Sequence, residues 1–294
     1  GQMRKQKQTG DSNKTHLPMN ETENAYMQRL KLHIIGLFGE KPFNFQEIIS
    51  LAGGAYPADV LEVLHDLLSK KKLYQDGQAY FLTSCFKQQS VETESFREKP
   101  PKKTDIKQVI SKQMPAEPGF ADPHPADYDW RYTHLSLVEL TRRLKPFIDR
   151  NAKIALFGAP TLFPRLFRLG AHVTLFDNSP SILKDLQSIG FEKGLIHHNL
   201  FYQFSDIPSK CDIVIADPPW YPSFHHAFIL RSTELLQKQG MLLLSVPAWL
   251  TRPSVIKDRA DIVTFAIQAG FDLCEVSPSS LTCESPIFEQ IALA

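Results

Sequence analysis

Stretches with a clear hydrophobic period alternate along this chain with stretches that have none. Residues 1–22 are polar, rich in Gln, Lys, Asn and Thr, and lack any periodic apolar pattern, which predicts a disordered tail. From residue 23 to 86 the pattern tightens. Tyr26, Leu30, Ile34, Ile35, Leu37 and Phe38 recur at helical spacing, and Gly39 and Pro42 end that helix. Phe45, Ile48, Ile49 and Leu51 give a short second helix, closed by Gly53-Gly54. Pro57 suits the first position of a third helix, whose inward set is Val60, Leu61, Leu64, Leu67 and Leu68. Leu73-Tyr74, the turn Asp76-Gly77 and Ala79-Tyr80-Phe81-Leu82 then predict a hairpin. Helices and hairpin together predict a small winged helix. Its third helix would be the recognition helix of a DNA reader, yet its exposed face carries Asp59, Glu62, His65 and Asp66. Only Lys70-Lys71-Lys72, at its end, suit phosphates. The expected partner is a protein or a nucleic acid, with protein favoured.

Residues 87–126 carry many Lys, Glu, Gln and Pro and few large apolar groups, as a linker does. Ile106, Val109, Ile110 and Met114 predict one amphipathic helix within it. Residues 127–294 alternate between the two periods and predict an α/β sheet. Helices are expected over 135–148, 162–169, 180–189, 224–237 and 255–269. Strands are expected over 153–157, 172–176, 195–198, 212–216, 241–246, 271–276 and 288–292. Seven strands in this order match the Rossmann-like sheet of class I methyltransferases, in which the last pair forms an antiparallel hairpin.

The whole chain has 294 residues, 43% of them hydrophobic, and a net charge of +1. That supports about two domains and argues against binding nucleic acid through overall charge. No apolar run approaches the roughly 20 residues of a membrane span. Cys85, Cys211, Cys274 and Cys283 are scattered with no C-x-x-C spacing, so neither a metal site nor a disulfide framework is expected. A reduced, cytoplasmic setting is expected.

The chemistry concentrates where the predicted strand 212–216 ends in Asp217-Pro218-Pro219-Trp220. Two prolines cannot continue a sheet ladder, so they stiffen the loop and fix the carbonyls of Asp217 and Pro218. A carboxylate, rigid carbonyls and a flat ring then converge at the carboxyl end of a strand, where open α/β sheets bind ligands. Oxygens there suit the protons of an amine, and the ring suits a planar or cationic substrate. Asp217, Pro218 and Trp220 are therefore the catalytic candidates. Tyr221, His225 and Tyr128 join Trp220 as substrate-binding candidates, Tyr128 from the aromatic segment 128–132. Asp177, just after the second strand, is placed to accept from ribose hydroxyls, or else to cap the helix after it. Gly158 lets backbone approach a ligand, although one glycine is a poor dinucleotide loop. Asn199 is the candidate for the adenine end of a nucleotide-like cofactor. Glu284, in the predicted turn of the last hairpin, is placed to overhang the pocket.

Those residues carry two resemblances. Asp217-Pro218-Pro219-Trp220 resembles the (D/N)-P-P-(aromatic) motif of amino methyltransferases, in the form found in the adenine-N6 group. The resemblance implies S-adenosylmethionine as cofactor. It also implies that the acid and the first proline's carbonyl hold a target amine while the aromatic ring stacks on the acceptor. The order of parts over residues 25–290, with Tyr128-Asp129-x-x-Tyr132-Thr133 entering a helix, is similar to the branched-chain polyamine synthases. That likeness implies aminopropyl transfer from decarboxylated S-adenosylmethionine. Where that family carries Gly-Asp-Asp-Asp-Leu, this chain has Gly158-Ala159-Pro160-Thr161-Leu162, without the acids that would attract a polycation. Three functions are therefore expected in turn: amino methylation, branched polyamine synthesis, and an adaptor role on a degenerate methyltransferase fold.

Overall fold

The computed structural model describes residues 19–39, 41–83, 131–206, 209–277 and 280–284. The linker, with its expected helix near residue 110, and Tyr128 lie outside the described residues.

The N-terminal unit contains α1 (Met19–Leu37), β1 (Phe43–Asn44), α2 (Phe45–Leu51), α3 (Pro57–Ser69), β2 (Leu73–Asp76) and β3 (Ala79–Leu82). Helix α1 begins inside the segment expected to be disordered. Helix α2 starts where the sequence places Asn44 three residues before Glu47. The Asn44 side chain accepts from the Glu47 N–H at 2.9 Å, and the Glu47 carboxylate accepts from the Asn44 N–H at 2.8 Å. The strands form an antiparallel sheet in the order β1-β3-β2. Strand β1 is too short to show a period in the sequence. The core takes Tyr26, Leu30 and Ile34 from α1, Ile48 from α2, and Val60, Leu64 and Leu67 from α3.

The C-terminal unit contains β4 (Arg131–Tyr132), α4 (His134–Ile148), β5 (Lys153–Phe157), α5 (Leu162–Arg168), β6 (His172–Asp177) and α6 (Pro180–Ser188). It continues with β7 (Leu195–His197), β8 (Cys211–Ala216), α7 (Pro222–Leu235), β9 (Leu236–Leu244), α8 (Val255–Gln268) and β10 (Cys283–Glu284). Its main sheet has five parallel strands in the order β7-β6-β5-β8-β9. Alternation along the strands supplies two cores. Ile154, Leu156, Val173, Leu175, Ile213 and Ile215 pack under α4, α5 and α6. Ala155, Phe157, Phe176, Val214 and Ala216 face Ala227, Phe228 and Leu235 of α7.

Among the described residues the main sheet thus has five strands and not the expected seven. Residues 271–276 form no strand. Phe271 packs against the sheet, while Leu273 and Val276 stay exposed, so neither alternating set is consistently apolar. Residues 288–292 lie outside the described residues. Instead, β10 pairs antiparallel with β4, setting Cys283 opposite Tyr132 and Glu284 opposite Arg131. Strand β9 starts at once after α7, earlier than the pattern predicts. Leu236 pairs with Cys211 and Met241 with Ile213, so the polar residues between them bulge from the ladder.

The two units share a core. Leu250, in the segment after β9, is 4% exposed and belongs to the N-terminal cluster. Its carbonyl accepts from the Tyr26 hydroxyl at 3.2 Å. No helix among the described residues is long and apolar enough to cross a membrane.

Candidate active site

In the order β7-β6-β5-β8-β9 the direction of strand addition reverses between β5 and β8. Loops leaving those strands diverge, and the crevice between them is the ligand position of open α/β sheets. Gly158 ends β5 there and Asp217 ends β8. The Asp217 N–H donates to the Phe157 carbonyl at 2.9 Å, and the Gly158 N–H donates to the Phe176 carbonyl at 3.2 Å. Gly158 has φ +65°, and a Cβ on it would lie 3.1 Å from the Asp217 carbonyl oxygen and 3.5 Å from the Phe228 ring. Glycine is required here by the approach of two loops as well as by the left-handed backbone.

Asp217 keeps a partly exposed edge but is otherwise surrounded by protein. Burial pushes its carboxyl up from 3.8 to about 7, although Ser245 and Tyr132 hydrogen-bond to it and pull the other way. The Tyr132 hydroxyl and Ser245 Oγ are 2.9 Å apart. Burial also holds the Tyr132 phenol, and the Cys283 thiol beside the carboxyl, well above their ordinary values. The sequence reading missed all three neighbours. Tyr132 carried a signal, since it closes the aromatic segment 128–132. Ser245 sat unmarked within a predicted strand, and Cys283 had no spacing to distinguish it.

Pro218 is buried, and the Pro219 carbonyl accepts from the Tyr221 N–H at 2.7 Å, which tightens the turn into α7. Trp220 is half-buried. Its ring edge lies 3.9 Å from the place where Gly54 would carry a Cβ, so one side of this residue faces the N-terminal unit. Tyr221 is 52% exposed, with the Arg252 guanidinium 5.5 Å from its ring centre. His225 is fully buried. Its Nδ1 lies 3.0 Å from the Tyr221 carbonyl and its Nε2 3.1 Å from the Ser245 carbonyl. That position ties α7 to the segment after β9 and holds the ring inside the protein, away from the surface of the helix. Burial lowers its pKa below 6.5.

Asp177 ends β6 and is 9% exposed. One of its oxygens accepts from the Ser179 N–H at 2.8 Å, while the Ser179 side chain caps α6. A carboxylate has several acceptor positions, a chemistry that suits ribose hydroxyls. The Asn199 side chain accepts from the Phe201 N–H at 3.0 Å, in the loop after β7. Gly158, Asp177, Asn199 and Asp217 therefore all sit at the carboxyl ends of β5, β6, β7 and β8. Glu284 belongs to a strand and not to a turn. A cavity of about 390 Å³ opens at the amino ends of β5 and β6, beside Lys153 and His172, on the wrong side of the sheet for this chemistry. Among the described residues no cluster of His, Cys, Asp and Glu is arranged to hold a metal.

No family model matches the sequence, and no curated protein matches it. Solved structures match in fold. A branched-chain polyamine synthase from Thermus thermophilus, the C9 mutein with N4-aminopropylspermidine and 5′-methylthioadenosine, aligns with a TM-score of 0.60 at 13% identity. The alignment covers 90% of this chain and 81% of that one. An O-methyltransferase family protein from Burkholderia thailandensis aligns over 90% of this chain and 94% of its own. Its TM-score of 0.34, at 14% identity, is too low to carry an argument. The α/β architecture is similar to that of Rossmann-like methyltransferase-fold proteins.

Proposed function

We propose that this chain is an S-adenosylmethionine-dependent transferase that methylates an amino group on a flat acceptor. The N6 amine of adenine in a nucleic acid is the first candidate acceptor. The observation that carries this reading is Asp217 at the reversal of strand order, held by backbone beside Gly158 and buried next to Tyr132 and Ser245. Asp177 and Asn199, at the ends of neighbouring strands, suit the ribose and adenine of the cofactor. When bound, the cofactor supplies an electrophilic methyl group. Asp217 accepts a hydrogen bond from the acceptor NH₂ and turns its lone pair toward that methyl, largely a proximity effect. The Pro218 carbonyl suits the second N–H, and Trp220 offers a flat face, with Tyr221 at the rim. A carboxyl with a pKa of about 7 is matched to taking a proton near neutral pH. The buried His225 supports this wall through two carbonyls. The N-terminal unit, as a winged helix, is a docking module whose acidic third helix suits protein better than DNA.

A second reading, aminopropyl transfer from decarboxylated S-adenosylmethionine, is favoured by the fold likeness to the polyamine synthase. The absence of acids from residues 158–162 weighs against a polycationic acceptor. Label-transfer assays with both donors, offering adenine-containing RNA and DNA and then spermidine, separate the readings. Methyl label on nucleic acid that disappears in Asp217→Ala supports the first. Aminopropyl label on spermidine establishes the second. Transfer from neither donor overturns both.

A further inference from the structure

Strands β4 and β10, far apart in the chain, meet near Asp217. Strand β4 precedes the unit's first helix and β10 lies near its end, yet they pair with Cys283 opposite Tyr132. A group of hydroxyls and backbone bonds closes this junction. The Thr133 N–H donates to the Thr282 carbonyl at 3.0 Å, Ser136 Oγ donates to the same carbonyl at 2.8 Å, and the Thr282 N–H donates to Ser136 Oγ at 2.6 Å. Tyr132, 5% exposed, therefore projects from a fixed strand and has little room to turn. Its hydroxyl meets Ser245 Oγ at 2.9 Å, next to the Asp217 carboxyl.

We propose that Tyr132 is a positioning residue for Asp217, delivered to the carboxyl by the β4–β10 junction. The proposal rests on reading Asp217 as the acid that holds the acceptor. A phenol cannot rotate its oxygen out of the ring plane, so a ring fixed by its strand fixes the direction from which the carboxylate is bonded. That leaves the other carboxylate positions for the acceptor's N–H. Ser245 supplies the second donor from the segment after β9, itself held through its carbonyl by His225. The titratable groups around Asp217 are thus Tyr132 on β4 and Cys283 on β10, with His225 of α7 one residue removed through Ser245. Cys283 carries no donor strong enough to replace the phenol.

The test needs neither cofactor nor acceptor, so it stands apart from the transfer assays. In the full chain labelled at aspartate carboxyl carbons, the Asp217 resonance is identified by its loss in Asp217→Asn and followed through a pH titration. Tyr132→Phe keeps the ring and removes a donor to the carboxylate, so the Asp217 midpoint should rise by about one pH unit. An unchanged midpoint in a folded Tyr132→Phe chain overturns the proposal. A second reading uses the wild-type chain alone: with tyrosine labelled at Cζ, the Tyr132 resonance should titrate with the Asp217 midpoint. A Tyr132 signal blind to that titration overturns the proposal as well, whatever the stability of the variant.

Discussion

Replacing Asp217 by Asn should make the protein more stable, and more so in alkaline than in acidic solution. The folded carboxyl has a pKa of about 7 against 3.8 unperturbed, because burial disfavours its charge. The folded state therefore binds this proton more tightly than the unfolded chain does. Stability is lost as pH rises from the lower value through the upper, and the loss is complete above both. At 1.36 kcal/mol per pK unit, the penalty amounts to about 2 kcal/mol at about pH 5 and about 4 kcal/mol at about pH 8. Asn has nearly the same shape, still bonds Tyr132 and Ser245, and carries no charge to bury. Urea unfolding of wild type and Asp217→Asn at both pH values measures the difference. The variant should gain roughly 2–3 kcal/mol more at the higher pH. Titration of His225 and the other groups is common to both proteins and cancels. Equal gains at the two pH values, or a variant that is less stable at the higher one, would refute the reasoning.

Three other substitutions probe the scaffold. Gly158→Ala puts a Cβ 3.1 Å from the Asp217 carbonyl on a left-handed backbone, so it should cost about 2 kcal/mol in urea unfolding and abolish methyl transfer. Leu250→Ala empties a place in the N-terminal core, and should cost about 3 kcal/mol and lower the thermal midpoint. His225 has a folded pKa below its unfolded 6.5, so stability should fall as pH drops through that value. In His225→Gln that acid-side decline should shrink, as pH-resolved thermal melts would show.

The strands that were legible are those whose burial leaves a mark in composition. Residues 153–157 and 212–216 are largely apolar runs ended by Gly158 and Asp217, and both form strands where expected, paired side by side in the sheet. The helix after Pro57 announced itself through its proline and through Val60, Leu64 and Leu67, which are buried, whereas Leu61, expected to face inward, is exposed and Val63 takes an inward place instead. Strands of two residues cannot show a period, so β1, β4 and β10 were invisible. Invisible with them was the junction that seats Tyr132. The expected strand at 271–276 failed because alternation was assumed where Leu273 and Val276 stay in solvent. At the site, Asp217 was legible from its prolines and aromatic neighbour. Its surroundings were not, because Tyr132, Ser245 and Cys283 come from elements far apart in the chain. The helix position of His225 likewise gave no sign that its ring would be buried between two carbonyls.

Equilibrium dialysis of the full chain against labelled S-adenosylmethionine tests the central claim most directly. One site per chain is predicted, weakened about tenfold or more in Asp177→Ala, which removes a charge-assisted acceptor for the ribose hydroxyls. No binding to wild type, or undiminished binding to a folded Asp177→Ala chain, would contradict a cofactor site at the carboxyl ends of these strands.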